Sequence, residues 1–233
     1  MTAPASAPLG SGAMFDPIAH HYDLLNRLMT LGLDQRWRDR LVAALGVQSG
    51  LIADIAVGTA DVAIRAAQMY PGLSVVGVDP SGQMLAVGQE KLMAHKLAQR
   101  VQLKLGIAEA LPLIDASVLG AVTAFGLRNF SDRARGLAEM RRITKSGGKV
   151  AALEIGRPSG PLAPVIAVYT RLFVPVLGAL ISGPKQYRYL VDSAAAFPKA
   201  REVVAMFEAA GLVDVSATVL GLGAVHLFVG RVP

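Results

Sequence analysis

"DIAVGTADVA", residues 54–63, joins the apolar run "LIADIAV" (51–57) to the helix-like stretch "DVAIRAAQMY" (61–70). The run reads as a buried strand and the stretch as the helix after it. Asp54 then falls near the carboxyl end of the strand, where open parallel sheets bind ligands. Gly58 falls in the turn, where the lack of a Cβ lets the backbone approach a ligand closely. The helix start offers free N–H groups and the positive end of a dipole, which stabilise a carboxylate or phosphate. Taken alone, the stretch fits an ordinary strand-to-helix turn almost as well.

The next strand decides between the two. "LSVVGVD" (73–79) ends on Asp79, about 20 residues beyond Gly58, the distance at which an acidic residue can accept both hydroxyls of a ribose. Asp79 could instead cap the helix after Pro80. Asp54, Gly58 and Asp79 together point to a nucleoside. Nicotinamide dinucleotide and S-adenosylmethionine both contain one. The spacing D-x-A-x-G-x-A lacks the glycines that let a backbone hug a pyrophosphate, and this disfavours the dinucleotide.

The alternation extends in both directions. Helices are expected over 16–32, where Asp-Pro marks a start, and over 34–46, stopped by Gly46. After Asp79 come a helix (81–98), a strand (101–106), a strand (118–125), a helix (131–144) and a strand (148–155). A last helix (193–211) precedes two closing strands, 212–220 and 224–230. Their short link through Gly221 and Gly223 suggests an antiparallel pair at the sheet edge. Strands alternating with helices of this length imply right-handed crossovers and a mostly parallel sheet with helices on both faces. Seven strands with a final hairpin and N-terminal helices resemble the class I methyltransferase fold, a Rossmann-like α/β architecture.

Composition bounds the rest. The 233 residues fit one sizeable domain. Residues 1–13, rich in Ala, Pro, Ser and Gly, are expected to be a disordered tail. Residues 14–233 are expected to form the single domain. The start has neither the basic nor the apolar part of a signal peptide, which predicts a cytoplasmic protein. There is no cysteine, which excludes disulfides, thiolate zinc sites and cysteine nucleophiles. The four histidines form no spaced pair on one helix face, so no metal is expected. The net charge of +6 is dispersed. Its densest groups, 35–40 and 133–145, do not interleave with stacking aromatics, and no nucleic acid is expected as a partner. The apolar stretch 161–183 is long enough to span a membrane but is broken by Pro164, Arg171 and Pro175. It is read as part of an apolar helical insertion over 161–190 rather than a span.

Beyond the turn, "MFDPIAHHYDLLNRLMTLGLDQRWR" (14–38), "DPSGQML" (79–85), "FGLRN" (125–129) and "YRYL" (187–190) are more specific. With them the sequence resembles the ubiquinone/menaquinone C-methyltransferase family along nearly the whole chain after residue 14. The resemblance implies S-adenosylmethionine as methyl donor and a prenylated quinol as acceptor. A soluble phenol, or a non-catalytic paralogue binding quinone or protein, are the alternatives. A ring carbon attacks a sulfonium methyl only if the adjacent phenolic oxygen carries negative charge. A phenol has a pKa of about 10, so the site must favour phenolate. Arg128 can stabilise it and Asn129 can hydrogen-bond it. The structural alternative pairs Arg128 with a carboxylate near Asp132. His21 is a candidate base, and Tyr187 a candidate lining of the acceptor pocket. For the donor, the expected set is Tyr22 over the methionine, Asp54 at the amino-acid end, Gly58, Thr59 and Asp61 in the loop, Asp79 on the ribose, and Met84, Ile107 and Ala108 around the adenine.

Two positions depart from the family pattern. Ala60 stands where the pattern has glycine. If that position requires positive φ, alanine costs about 1 kcal/mol. Ile107 stands where an Asp that bonds the adenine amino group is expected. Ile107 can pack on the ring but cannot accept the bond, and Glu109 is the candidate substitute. The apolar and basic composition predicts peripheral contact with the inner face of the cytoplasmic membrane, and exposed apolar surface predicts a homodimer.

Overall fold

The computed structural model describes residues 12, 16, 19–20, 22–156, 164, 168, 193 and 196–233. Two helices, α1 (Tyr22–Met29) and α2 (Leu33–Ala44), lead into β1 (Ser49–Ile55), α3 (Asp61–Met69), β2 (Gly72–Asp79), α4 (Gly82–Ala94) and β3 (Val101–Leu105). Then follow β4 (Val118–Ala124), a short 3₁₀ turn (Leu127–Asn129), α5 (Arg133–Ile143) and β5 (Thr144–Ile155). The chain closes with α6 (Ala200–Ala209), β6 (Val213–Leu220) and β7 (Val225–Arg231).

The seven strands form one sheet in the order β3-β2-β1-β4-β5-β7-β6. β1 to β5 pair in parallel, and β7 runs antiparallel to both β5 and β6. The expected edge pair is present, and its link through Gly221 and Gly223 uses positive φ at both glycines. The strand order reverses at β1 and β4, so the crevice outside their carboxyl ends is the place for a ligand. Two apolar layers cover the sheet. On one face Ile52, Val122 and Leu153 pack with Leu41 of α2, Ala63 of α3 and Leu92 of α4. On the other Ala53, Ala121 and Ala152 pack with Leu137 and Met140 of α5 and Phe207 of α6. The side-chain period of two puts Asp54 on the first face with Ile52, and Glu154 on the second with Ala152.

Element ends follow local chemistry. Ser81 caps α4 by accepting from the Met84 N–H at 3.0 Å, and Asp132 caps α5 by accepting from the Arg135 N–H at 3.0 Å. Three helices are shorter than the periodicity predicts. The described first helix starts at Tyr22, after a turn closed by Ala19 N–H to the Asp16 carbonyl at 3.4 Å. α4 ends at Ala94 rather than 98, and the helix expected over 193–211 is interrupted: Ser193 and Ala196 are helical, but α6 begins only at Ala200, after Pro198, whose ring disfavours helical backbone in the residue before it. Strand β5 takes up Thr144 to Gly147, four residues more than expected. The expected insertion, 161–190, lies outside the described residues except Pro164 and Val168. Among the described residues no helix is long and apolar enough to cross a membrane.

Candidate active site

The loop from Ala56 to Ala60 closes over the end of β1. Gly58 has φ +55°, and a Cβ there would meet no described atom within 4 Å. The glycine is therefore open to an approaching ligand. Its N–H donates to Asp79 Oδ2 at 2.8 Å, and the Ser81 N–H donates to Asp79 Oδ1 at 2.9 Å. Asp79 thus ties the loop to the start of α4, while the cap itself is Ser81. Burial pushes the Asp79 carboxyl up to about 6, against the two N–H bonds that favour its charge.

Asp54 is buried. It takes a backbone hydrogen bond from Ala63, and its Oδ2 has no partner among the described residues. Burial raises its pKa to about 8, with Arg38 acting in the opposite direction. Asp61, the first residue of α3, pairs with Lys91 and lies 3.9 Å from Arg38 Nε. Its pKa is lowered: the two cations outweigh the burial that opposes them. Lys91 also donates to Asp23 of α1 at 2.6 Å, and Thr59 Oγ1 donates to Asp23 at 2.5 Å. Together these bonds hold α1, with the half-buried Tyr22 at its start, against the loop.

Beside the loop, the end of β4 turns sharply. Ala56, Ala60 and Phe125 all have positive φ, at 57°, 66° and 58°, and each costs about 1–2 kcal/mol in a residue with a Cβ. Ala60 does occupy the left-handed conformation that glycine would favour. Its methyl group is fully buried and faces Gly88 of α4, where a Cβ would lie 3.4 Å from it. Gly126 is required by space, since a Cβ there would come within 2.7 Å of Ala56 Cβ and 2.6 Å of Thr123 Oγ1.

Past this turn Arg128 and Glu154 are both buried and meet at 2.5 Å, Nη1 to Oε1. The Arg128 N–H also donates to Glu154 Oε2 at 3.1 Å. The carboxylate partner expected near Asp132 is thus Glu154 on β5. Asn129 Nδ2 donates to the Phe125 carbonyl at 3.3 Å. Glu109, the candidate substitute for the missing Asp, is engaged at the start of α5. Its Oε1 accepts from Ser131 Oγ at 2.7 Å and from the Asp132 N–H at 3.0 Å, which fixes it to the start of α5. Ile107 is 42% exposed just past β3, while Ala108 and Met84 are buried. His21 and Tyr187 lie outside the described residues. Among the described residues no cluster of His, Asp or Glu is placed to hold a metal ion.

The sequence reading missed Arg38, Lys91 and Asp23. A signal for Arg38 was present: Asp34, Arg38, Leu41 and Val42 fall on one helical face, and all four are buried.

The model of the ubiE/COQ5 methyltransferase family matches residues 9–231. The chain belongs to this family. As a member it is a methyltransferase. A ubiquinone/menaquinone biosynthesis C-methyltransferase UbiE of Syntrophotalea carbinolica is 42% identical over 219 residues, covering 93% of this chain and 92% of that protein. A demethylmenaquinone methyltransferase of Thermus thermophilus is 40% identical over 218 residues, covering 92% and 98%. Solved structures share the fold at lower identity. A SAM-dependent methyltransferase from Thermotoga maritima has a TM-score of 0.66 at 20% identity, covering 95% of this chain and 99% of that one. Haemonchus contortus phosphoethanolamine N-methyltransferase 2, solved with S-adenosyl-L-methionine, has a TM-score of 0.68 at 16% identity, covering 100% of this chain and 61% of that one.

Proposed function

We propose that this methyltransferase takes its methyl group from S-adenosylmethionine and places it on a ring carbon of a prenylated quinol, a demethylmenaquinol or ubiquinone precursor. The observation that carries the donor reading is the buried Asp54, whose Oδ2 has no partner among the described residues, beside an open Gly58. An ammonium group supplies the missing charge and hydrogen bond. When bound, the donor supplies an electrophilic methyl group on a sulfonium. Asp54 holds the donor's ammonium, Gly58 and Thr59 form the floor beneath it, and Asp79 presents its carboxylate to the ribose. Met84, Ala108 and Ile107 pack around the adenine, with Ile107 giving apolar contact in place of a hydrogen bond. Asp61 anchors the loop through Lys91 and Arg38 rather than touching the donor. Tyr22 covers the methionine end.

On the acceptor side, Arg128 keeps its proton, because a guanidinium is not deprotonated in proteins and the adjoining Glu154 carboxylate favours the cation. It acts by charge, lowering the energy of the phenolate that makes the ring carbon nucleophilic, and Asn129 orients that oxygen. The ring carbon would bond to the methyl group as the donor's carbon–sulfur bond breaks, S-adenosylhomocysteine would leave as the thioether, and the ring proton would pass to water. His21 and Tyr187, which lie outside the described residues, are the candidates for the phenolic base and for the acceptor side. Leu24, Leu28 and Leu31 are exposed at helical spacing on α1 and the turn after it. They support peripheral contact between this helix and the lipid surface in which a prenylated quinol resides, with a homodimer through the same apolar face as the other outcome.

The test is incubation of purified protein with labelled S-adenosylmethionine and reduced demethylmenaquinol. A methylated lipid is expected, with little transfer to a soluble phenol. Binding of the donor without any methylated lipid under reducing conditions contradicts the acceptor assignment.

A further inference from the structure

Arg38 is a buried guanidinium with few bonds. It is 5% exposed, and among the described residues only its Nε makes a hydrogen bond, to Asp34 Oδ2 at 3.5 Å. That contact is long for a charge-assisted bond, which closes to about 2.7–2.9 Å. Its neighbours are committed elsewhere. Asp34 accepts from Thr30 Oγ1 at 3.0 Å and from Gln35 Nε2 at 2.8 Å. Asp61 is paired with Lys91 and stands 3.9 Å from Arg38 Nε. The guanidinium lies over the Phe125 ring, 5.4 Å from its centroid, and so faces the end of β4 where that strand borders the loop.

Asp54, on the same face of the sheet, is the complementary case. Its Oδ2 is buried without a partner among the described residues. Arg38 acts on it electrostatically, yet the ion pairs of Arg38 are with Asp34 and Asp61. One buried cation and one buried carboxyl, each underused and not joined to the other, fit a ligand that carries both charges on neighbouring atoms.

We infer that Arg38 and Asp54 together hold an α-amino-acid head group, with the Arg38 guanidinium taking its carboxylate and Asp54 its ammonium. This rests on the reading that the loop binds S-adenosylmethionine, and it adds the determinant for the donor's carboxylate. Arg38 is a binding residue for one end of the donor and takes no part in methyl transfer. It also selects against donors or products that lack the carboxylate.

The experiment compares S-adenosylhomocysteine, its decarboxylated analogue and adenosine by calorimetry, against the full chain and the variants Arg38→Met and Arg38→Lys. Wild type is expected to bind S-adenosylhomocysteine about 10- to 100-fold more tightly than the decarboxylated analogue, the range for hydrogen bonds between charged groups. Arg38→Met loses that factor and binds the two ligands alike, and Arg38→Lys recovers part of it. Adenosine affinity stays within about twofold in all three proteins, which shows that the variants are folded. Discrimination that survives in Arg38→Met, or its absence in wild type, overturns the inference and leaves the donor reading intact. A fall in adenosine affinity matching the fall for S-adenosylhomocysteine gives Arg38 a structural role and also overturns it. Wild type that binds none of the three removes the donor reading itself.

Discussion

On the α5–α6 face of the sheet end, Arg128 and Glu154 meet at 2.5 Å, both buried, and the carboxylate also takes the backbone N–H of Arg128. On the α2–α3 face, Asp54 is equally buried but has an oxygen with no partner among the described residues, and Arg38 holds only one long hydrogen bond there. The first pair is joined directly, by an ion pair and a backbone hydrogen bond. The second group is not: the ion pairs of Arg38 are with Asp34 and Asp61, and none joins it to Asp54 among the described residues. The two buried carboxyl groups therefore differ: Glu154 belongs to the framework that fixes Arg128, while Asp54 keeps an oxygen without a partner among the described residues.

The same chemical change at the two carboxylates should have opposite effects. Glu154→Gln removes one partner of a buried pair and leaves Arg128 charged, which costs about 3–5 kcal/mol. Urea unfolding should show the loss directly, and a cost below about 1 kcal/mol would break the contrast. Asp54→Asn should leave the ligand-free protein no less stable at neutral pH. Its carboxyl is raised from 3.8 to about 8, so the folded state binds this proton more tightly than the unfolded chain. Stability of the ligand-free wild type is then greatest at the acid end of that window, falls as pH rises from about 4 to about 8, and levels off above. Each tenfold difference in proton affinity between the folded and unfolded chain corresponds to about 1.4 kcal/mol. Asp79 adds a smaller decline of the same sign, from about 4 to about 6. In Asp54→Asn the decline should stop near pH 6, and unfolding curves that still fall between pH 6 and 8 would contradict this assignment.

The smallest effect sharpens the picture of the loop between the two faces. Ala60→Gly relieves left-handed strain worth about 1 kcal/mol, but it removes a fully buried methyl group worth about 0.8 kcal/mol that packs toward Gly88. The two effects nearly cancel, so the midpoint of urea unfolding should move by less than the equivalent of about 1 kcal/mol. A gain well above that would mean the methyl contributes nothing and the alanine is simply strained.

Much of this arrangement was legible in the sequence because it depends on short-range spacing. Asp54, Gly58 and Asp79 lie at strand ends and turns, where position along the chain nearly fixes position in space, and the sheet with its closing antiparallel pair followed from the alternation. What escaped notice depends on contacts between elements far apart in sequence. Arg38 sits in the charge run 35–40, one of the densest basic groups and judged only as a nucleic-acid contact, yet it is buried with Asp34 on the face that α2 turns to α3. Lys91 and Asp23 meet only because α4 and α1 converge on Thr59. The bonds of Glu109 to Ser131 and to the Asp132 N–H at the start of α5 likewise could not be read from its sequence distance to Ile107.

The central claim is that Asp54 waits, largely protonated at neutral pH, for the ammonium of the donor. Proton release on binding tests it most directly, by calorimetry of S-adenosylhomocysteine at pH 7 in buffers of different ionisation enthalpy. A carboxyl with a pKa of about 8 that becomes charged beside the ammonium must give up its proton. Wild type should release close to one proton per ligand bound, and Asp54→Asn should release almost none. Tight binding to wild type with no proton released would contradict the account.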